Sequence, residues 1–127
     1  MKKILALLLA VLMVMSVFAG CGKKSDDSGL NLVEAGKLIM STNAAFPPYE
    51  MTTDNGGFEG IDVEIAGEIA KKLGLELVVD DMDFDAALLA VQENKSDIVM
   101  AGVTVNEDRL MVMNFSDSYA TGVQVVI

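Results

Sequence analysis

The chain has 127 residues, of which 52% are hydrophobic and only two are proline, so it can form one small folded domain and is neither disordered nor collagen-like. Its 19 acidic residues outnumber nine basic ones, and the net charge of −10 argues against a nucleic-acid partner because phosphate binding requires a basic face. The absence of histidine and the single cysteine exclude an internal disulfide, histidine-dependent acid–base catalysis and the common zinc sites.

The first 20 residues have the pattern of an export signal peptide. Two lysines precede an apolar run from Ile4 to Val14, and the small residues Ala19 and Gly20 end the segment. A membrane-spanning helix is the alternative interpretation, but spanning requires about 20 apolar residues and this run is shorter. We therefore expect residues 1–20 to be a signal peptide.

The sole cysteine, Cys21, follows this segment in the sequence FAGC. FAGC resembles the lipobox of bacterial lipoproteins, in which signal cleavage leaves the cysteine as a lipidated N-terminus, although Phe18 stands where leucine is usual. The residues after Cys21 are small and charged, which is typical of a flexible tether. We expect a tether over residues 21–35 and a folded domain over residues 36–127.

The domain begins with strand patterns separated by a turn-rich loop. The β-rich run Gly36–Thr42 predicts a first strand, and Leu75–Val79 and Asp97–Ala101 predict a second and a third. The third is nearly all apolar, as expected for a strand covered on both faces. In the loop after the first strand, two prolines and an Asn-Gly-Gly turn predict a small hairpin, in which Tyr49–Thr52 pairs near Phe58.

Two helices are predicted between these strands. The apolar positions of the first helix are Ile61, Ile65, Ile69 and Leu73, with Ala66 and Ala70 beside them. Asp62 suits the first turn of this helix and Gly74 is a suitable stop. A second helix is expected to be capped by Asp83 or Asp85 and to end near Asn94. Its buried stripe is expected to contain Phe84 or Ala87, Leu88 and Val91.

This alternation of strands and helices predicts an α/β fold with a mainly parallel sheet flanked by helices on both sides. Ligands of such sheets usually bind beyond the carboxyl ends of the strands. Three loops, at residues 41–46, 82–85 and 102–109, should therefore converge on one edge of the sheet. We call this the carboxyl edge.

The only arginine, Arg109, lies in the third of these loops. Asn106 is a good helix N-cap, which would place Arg109 in the first helical turn, where a cation opposes the helix dipole by roughly 0.3–1 kcal/mol. The position is unfavourable for stability but suitable for an anion, which would meet a bidentate guanidinium, helix-start amides and the Thr104 hydroxyl. Gly102 would let the backbone approach such a ligand closely. The alternative is a surface ion pair of Arg109 with Glu107, Asp108 or Asp117.

Side chains of the other two loops offer further candidates. Two prolines after Phe46 hold its ring at the end of a strand, where it could pack against a small ligand and its ammonium group. Tyr49 fits an ordinary core position better. Asn43 could accept a hydrogen bond from an ammonium group or cap the local turn, and Phe84 could face either the core or the carboxyl edge.

The acidic run DDMDFD suggests calcium, because Asp81, Asp83 and Asp85 have alternating spacing. Ala86 and Gln92, however, stand where a calcium loop requires glycine and glutamate. We therefore expect no metal site and no cofactor.

Four segments together closely resemble the extracellular solute-binding proteins of polar amino acid ABC transporters, bacterial solute-binding protein family 3. These are STNAAFPPYE, GFEGIDVEIAGEIAKKLGLEL, MDFDAALLAVQENKSDIVMAGVTVNEDR and NFSDSYATGVQVVI. The resemblance covers nearly everything from Lys37 to Ile127. It implies a periplasmic-binding-protein-like lobe, incomplete here, that ends at the crossover to a second lobe in the segment Phe115–Ile127. It also implies a binding protein that is not an enzyme, and an N-terminal fragment of a longer chain.

By the same resemblance, Arg109 would clamp the α-carboxylate of an amino acid, helped by the Thr104 hydroxyl and the Gly102 backbone. Phe46 and Phe84 would flank the ligand. Asn43 would help to bind the ammonium group or the side chain; many relatives have aspartate there, which weakens the case for a cationic ligand.

The implied partners are an amino acid, the permease subunits of an ABC transporter and the membrane, through a lipid anchor on Cys21. The implied location is the extracellular face of the bacterial cytoplasmic membrane. The same fold also serves as the sensor domain of membrane receptors and as an exported prephenate-type dehydratase, and these remain alternative functions.

Overall fold

The computed structural model describes residues 29–122. The predicted signal peptide, Cys21 and the first part of the predicted tether lie outside the described residues, as does the end of the predicted crossover segment. Within residues 29–122, no helix has the length and apolar character needed to cross a membrane.

The described part of the chain contains six strands and three helices. The strands are β1 (Lys37–Thr42), β2 (Ala45–Phe46), β3 (Glu50–Thr52), β4 (Phe58–Glu59), β5 (Glu76–Asp81) and β6 (Ile98–Val99). The helices are α1 (Ile61–Leu73), α2 (Phe84–Gln92) and α3 (Glu107–Leu110).

The central sheet has the order β5-β1-β6, and both neighbours run parallel to β1. Met40 in β1 is paired with Val79 on one side and with Ile98 on the other. The predicted parallel α/β fold is therefore confirmed. β6 is much shorter than the predicted strand, because the chain soon turns away at Gly102, which has a positive φ of 55°.

The two long helices cover opposite faces of this sheet. Met40 packs against Ala66 of α1, whereas the hydroxyl of the next residue, Ser41, donates to the carbonyl of Ala87 in α2. Adjacent residues of a strand point to opposite faces, so α1 and α2 lie on different sides. The prediction of helices on both sides is confirmed.

The buried face of α1 differs from the expected apolar stripe. Its fully buried residues are Asp62, Ala66 and Ala70, while Ile61, Ile69 and Leu73 are 39–43% exposed. The two alanines, which the prediction placed beside the stripe, make the closest contact with the sheet; Ile65 still packs against the core, whereas Ile61 and Ile69 do not. The predicted end at Gly74 is correct: this residue has a left-handed conformation and donates to carbonyls in the last turn.

Helix α2 also differs in detail from its prediction. Asp83 occupies the N-cap position, but neither it nor Asp85 makes the expected side-chain capping bond; the Asp83 backbone carbonyl instead accepts the first helical bond from Ala87. Ala87 and Ala90 are buried, whereas Leu88 and Val91 are only half-buried. As in α1, the smallest side chains make the closest contact with the sheet.

The loop after β1 forms a small antiparallel sheet of order β2-β3-β4. The predicted hairpin is confirmed, since Thr52 of β3 pairs with Phe58 of β4. Strand β2 was not predicted; its residues Ala45 and Phe46 pair with Met51 and Glu50. This pairing fixes the backbone of Phe46.

Candidate functional site

The first and second predicted loops meet at the carboxyl edge. The side-chain amide of Asn43 donates to the carbonyl oxygen of Met82 over 2.9 Å. The backbone amide of Ala44 donates to the Asp81 carboxylate over 2.8 Å. The Asp81 carboxylate therefore joins the ends of β1 and β5. The Asn43 side chain bonds across to the second loop and does not cap its own turn, and its side-chain oxygen has no donor among residues 29–122.

The third loop contacts the first one at Gly102. A Cβ atom on this residue would lie 2.8 Å from Cε1 of the Phe46 ring, so the ring rests directly on the glycine backbone. The amide of Gly102 donates inward to Asp62 over 2.9 Å. The Gly102 N–H is thus already bound within the protein and is not free to donate to a ligand at the edge.

Arg109 lies in α3, where the prediction of an N-cap at Asn106 is confirmed: the Asn106 side chain accepts the Arg109 amide over 2.9 Å. The guanidinium carbon lies 5.3 Å from the ring centroid of Phe84, within the range of a cation–π contact. Its Nη1 donates to the Thr104 carbonyl over 2.8 Å.

Arg109 forms no ion pair with any residue in the described range 29–122; the three ion pairs found there all involve lysines. The alternative of a surface pair with Glu107, Asp108 or Asp117 is therefore not what the structure shows. Arg109 as a residue is half-buried, and its guanidinium is oriented by a backbone carbonyl and an aromatic ring, neither of which neutralises its charge.

The ring of Phe46 is 48% exposed, which agrees with the expectation that it is not a core residue. It stacks on Tyr49 with the ring centroids 5.5 Å apart and an angle of 11° between the planes. Tyr49, which was expected in the core, is half-buried behind Phe46. Phe46 thus stays about half exposed although it contacts Tyr49 and Gly102.

The edge thus combines the guanidinium of Arg109, the exposed residue Thr104 and two aromatic rings. It also has the side-chain oxygen of Asn43 and the backbone carbonyl oxygen of Gly102, which have no donor within residues 29–122. Such a set can hold a carboxylate, an apolar body and an ammonium group. No cluster of three or more metal-binding side chains occurs within residues 29–122. A separate cavity of about 320 Å³ lies between β5 and α2, lined by Met82, Leu89 and Ser96 among others, and contains none of the predicted site residues.

Behind the edge lies a buried acidic pair that the sequence did not reveal. Glu50 in β3 and Asp62 in α1 are both 0% exposed. Asp62 accepts hydrogen bonds from Gly102 and from the hydroxyl of Tyr119, over 2.9 and 2.8 Å. Neither carboxyl oxygen of Glu50 has a hydrogen-bond partner in the described chain. In the sequence, each of these acids has the pattern of an ordinary turn or helix-start residue. No local sequence pattern therefore identifies the pair.

The pKa of Glu50 is raised by its surroundings. Burial, and next the neighbouring Asp62, raise the pKa of Glu50 to about 8. Burial and the bond to Asp62 also raise the pKa of the Tyr119 hydroxyl. Glu50 is therefore mainly protonated at neutral pH, which avoids two adjacent buried charges.

Comparison with known proteins places this arrangement in a family. Residues 38–127 match the bacterial extracellular solute-binding proteins, family 3. The chain belongs to this family. The resemblance noted in the sequence is confirmed, and the α/β domain is a partial lobe of the family 3 fold.

Three proteins that are similar to this chain have different names and described ligands. The arginine-binding extracellular protein ArtP of Bacillus subtilis is 36% identical over 129 residues, which cover 100% of this chain and 48% of ArtP. The cyclohexadienyl dehydratase of Pseudomonas aeruginosa is 28% identical over 113 residues, covering 88% of this chain and 42% of the enzyme. The solved arginine-bound form of domain 1 from TmArgBP is 42% identical with a TM-score of 0.64, covering 66% of this chain and 67% of that one. The chain spans about half the length of the curated relatives it matches.

Proposed function

We propose that this chain belongs to an extracellular receptor that binds a polar amino acid and delivers it to the permease of an ABC transporter. The observation that carries the proposal is Arg109, a half-buried arginine without an acidic partner in the described chain, held at the carboxyl edge of the sheet. Membership of the family and the relative ArtP, named as arginine-binding, support it.

In this proposal Arg109 binds the ligand α-carboxylate, because its fork of donors matches two carboxylate oxygens. The Thr104 hydroxyl gives an additional donor to the same group. The exposed part of Phe46 and the ring of Phe84 pack against the body of the ligand.

The ammonium group of the ligand requires acceptors, and the edge offers two. They are the side-chain oxygen of Asn43 and the carbonyl oxygen of Gly102, neither of which has a donor within residues 29–122. Gly102 therefore serves the ammonium end in this proposal, since its own N–H is bound to Asp62.

Attachment to the outer face of the cytoplasmic membrane through a lipid on Cys21 is part of the same proposal. It depends on the FAGC sequence that follows the apolar N-terminal run.

The first experiment is a thermal-shift screen of the standard amino acids against the purified full-length protein, with arginine as the leading candidate. A ligand at 100 times its dissociation constant stabilises a folded receptor by about 2.7 kcal/mol, which raises the melting temperature visibly. A shift with one or a few amino acids supports the receptor; no shift with any of them contradicts it.

The residue that carries the proposal is tested by calorimetry on Arg109→Lys. A point ammonium cannot reproduce the bidentate fork, so we expect affinity to fall by about tenfold to over a hundredfold. The control is Lys71→Ala, which removes an exposed cation paired with Glu68 on α1 and should leave affinity unchanged. Unchanged affinity in Arg109→Lys would remove this residue from the site.

The dehydratase relative favours a second candidate function, an exported enzyme on the same fold. Assaying the same purified protein with prephenate separates the two. Turnover of prephenate, together with no thermal shift for any amino acid, would favour the enzyme over the receptor.

A further inference from the structure

Asp62 occupies an unusual position for an acid in the first turn of a helix. Acids in the first turn are stabilised by the helix dipole and are normally exposed to solvent. The Asp62 side chain, however, is completely buried. Burying a carboxylate is costly unless it is hydrogen-bonded, and both oxygens of Asp62 have a partner. These two partners come from parts of the chain remote in sequence.

One partner is Gly102, which begins the loop that carries Thr104 and Arg109. Gly102 is held on two sides, because Asp62 accepts its amide while the Phe46 ring lies against its α-carbon. Its positive φ of 55° turns the chain out of β6 toward α3. The direction in which the loop leaves the sheet therefore depends on the bond to Asp62.

The other partner, the Tyr119 hydroxyl, ties the segment after α3 to the same carboxylate. Asp62 thus binds the chain both before and after Arg109. Other titratable groups around it are Glu50 from β3 and Tyr49, the residue before that strand. No lysine or arginine of residues 29–122 is ion-paired with Asp62, so its hydrogen bonds and the N-terminal end of α1 compensate its charge.

We propose that Asp62 is a positioning residue for the carboxyl edge: its bonds to Gly102 and Tyr119 fix the 102–109 loop in the conformation that presents Thr104 and Arg109. The effect on ligand affinity rests on the proposed function, whereas the effect on the loop does not. Protonated Glu50 permits this arrangement. Loss of that proton places a second buried charge beside Asp62 and disturbs the same loop.

The primary test uses amide NMR of the ligand-free, full-length protein. In Asp62→Asn, we expect the amide signals of residues 102–109 to shift and the Gly102 amide to exchange faster with solvent. The matched control is Asp97→Asn, since Asp97 also accepts two backbone amides, those of Val33 and Ile39, but outside the carboxyl edge. This control should leave the 102–109 signals in place. Unmoved loop signals in Asp62→Asn overturn the proposal.

A pH titration gives a readout that loss of stability alone does not produce. The Gly102 amide signal of the unmodified protein should follow a transition near pH 8, the pKa of Glu50, and Glu50→Gln should abolish the transition. A transition that persists in Glu50→Gln, or that is absent from the unmodified protein, contradicts the coupling. If Asp62→Asn does not fold, Tyr119→Phe, which removes only one bond, must shift the same loop signals.

Calorimetry with L-arginine as the probe extends the test to binding. We expect Asp62→Asn to weaken affinity by about tenfold and Asp97→Asn to leave it unchanged. If the unmodified protein binds no amino acid, the proposed function fails while the NMR result still decides the role of Asp62. Equal affinity in Asp62→Asn and the unmodified protein overturns the positioning role in binding.

Discussion

The buried environment of Glu50 determines whether its carboxyl group is ionised. Its side chain is fully buried, its oxygens have no hydrogen-bond partner within residues 29–122, and Asp62 lies beside it. The neutral acid is the form that costs least in such a place. Holding a proton at neutral pH therefore makes the stability of the protein depend on pH.

We predict that the free energy of unfolding decreases between about pH 4.5 and pH 8 because of Glu50. Its pKa is about 8 in the folded protein, against an ordinary value of 4.5, so the folded state retains a proton that the unfolded state releases. The contribution is fully present below pH 4.5 and is lost as pH rises to 8, with a slope of at most about 1.4 kcal/mol per pH unit.

Urea denaturation across this pH range measures the effect. Glu50→Gln should remove this component of the slope, because glutamine has no proton to lose. Glu59→Gln, at an exposed residue of β4, is the matched control and should keep the slope. An identical pH dependence in Glu50→Gln and the unmodified protein would show that Glu50 ionises normally.

Gly102 is the other such residue, because both its backbone conformation and the space around it require glycine. We predict that Gly102→Ala destabilises the protein by more than the roughly 1–2 kcal/mol expected for a left-handed non-glycine residue. The added Cβ would also meet the Phe46 ring, 2.8 Å away, and push it from its stack on Tyr49.

Gly74→Ala is the control for Gly102→Ala, because Gly74 has a similar φ of 71° but no atom within 4 Å of the added Cβ. Urea denaturation of both variants separates backbone strain from the ring contact. Equal losses of unfolding free energy in the two variants would mean that the Phe46 ring moves aside at no energetic cost.

At the scale of secondary-structure elements, the Ser41 hydroxyl joins strand β1 to helix α2 and to the residue Ser96 before β6. Ser41 of β1 is fully buried, donates to the Ala87 carbonyl in α2 over 3.0 Å and lies 2.9 Å from the Ser96 hydroxyl before β6. The contact holds α2 on the sheet by a polar bond where larger apolar side chains are absent.

We predict that Ser41→Ala costs about 1–3 kcal/mol of stability, since it leaves the buried Ser96 hydroxyl without its partner and removes a bond to the Ala87 carbonyl. The control is Ser118→Ala, whose exposed hydroxyl bonds only to the nearby Ala120 carbonyl and whose loss should cost less than about 0.5 kcal/mol. Thermal or urea unfolding provides both values. A loss in Ser41→Ala no larger than in the control would show that water replaces the bond.

At the scale of the described molecule, the core is small. Six of its ten buried apolar residues are alanines, so each helix buries little apolar area although it lies close to the sheet. Buried polar contacts therefore carry a large share of the specificity of the fold. The contacts of Asp97, Ser41 and Asp62 join the sheet to its surroundings at three separate places.

Local sequence determined the elements and the edge where they meet. The period of α1, the stop at Gly74, the hairpin and the N-cap at Asn106 are encoded by adjacent residues, so they were predictable. Strand and helix order alone predicted the parallel sheet, and that sheet brings Asn43, Phe84 and Arg109 to one edge. Which residues of a helix become fully buried was not predictable in the same way, because at the contact of α1 these are alanines and Asp62, while Ile61 and Ile69 stay exposed.

Only the tertiary structure decided the buried acidic pair and the setting of Arg109. Glu50, Asp62, Gly102 and Tyr119 are separated by up to 57 residues between bonded partners, and no local pattern relates them. Their protonation follows from burial and mutual proximity, which exist only after the chain folds. The sequence by itself determined that an arginine stands at the start of a helix; the packing of Phe84, Thr104 and Gly102 around it decided how its charge is presented, because distance and solvent exclusion are properties of the fold.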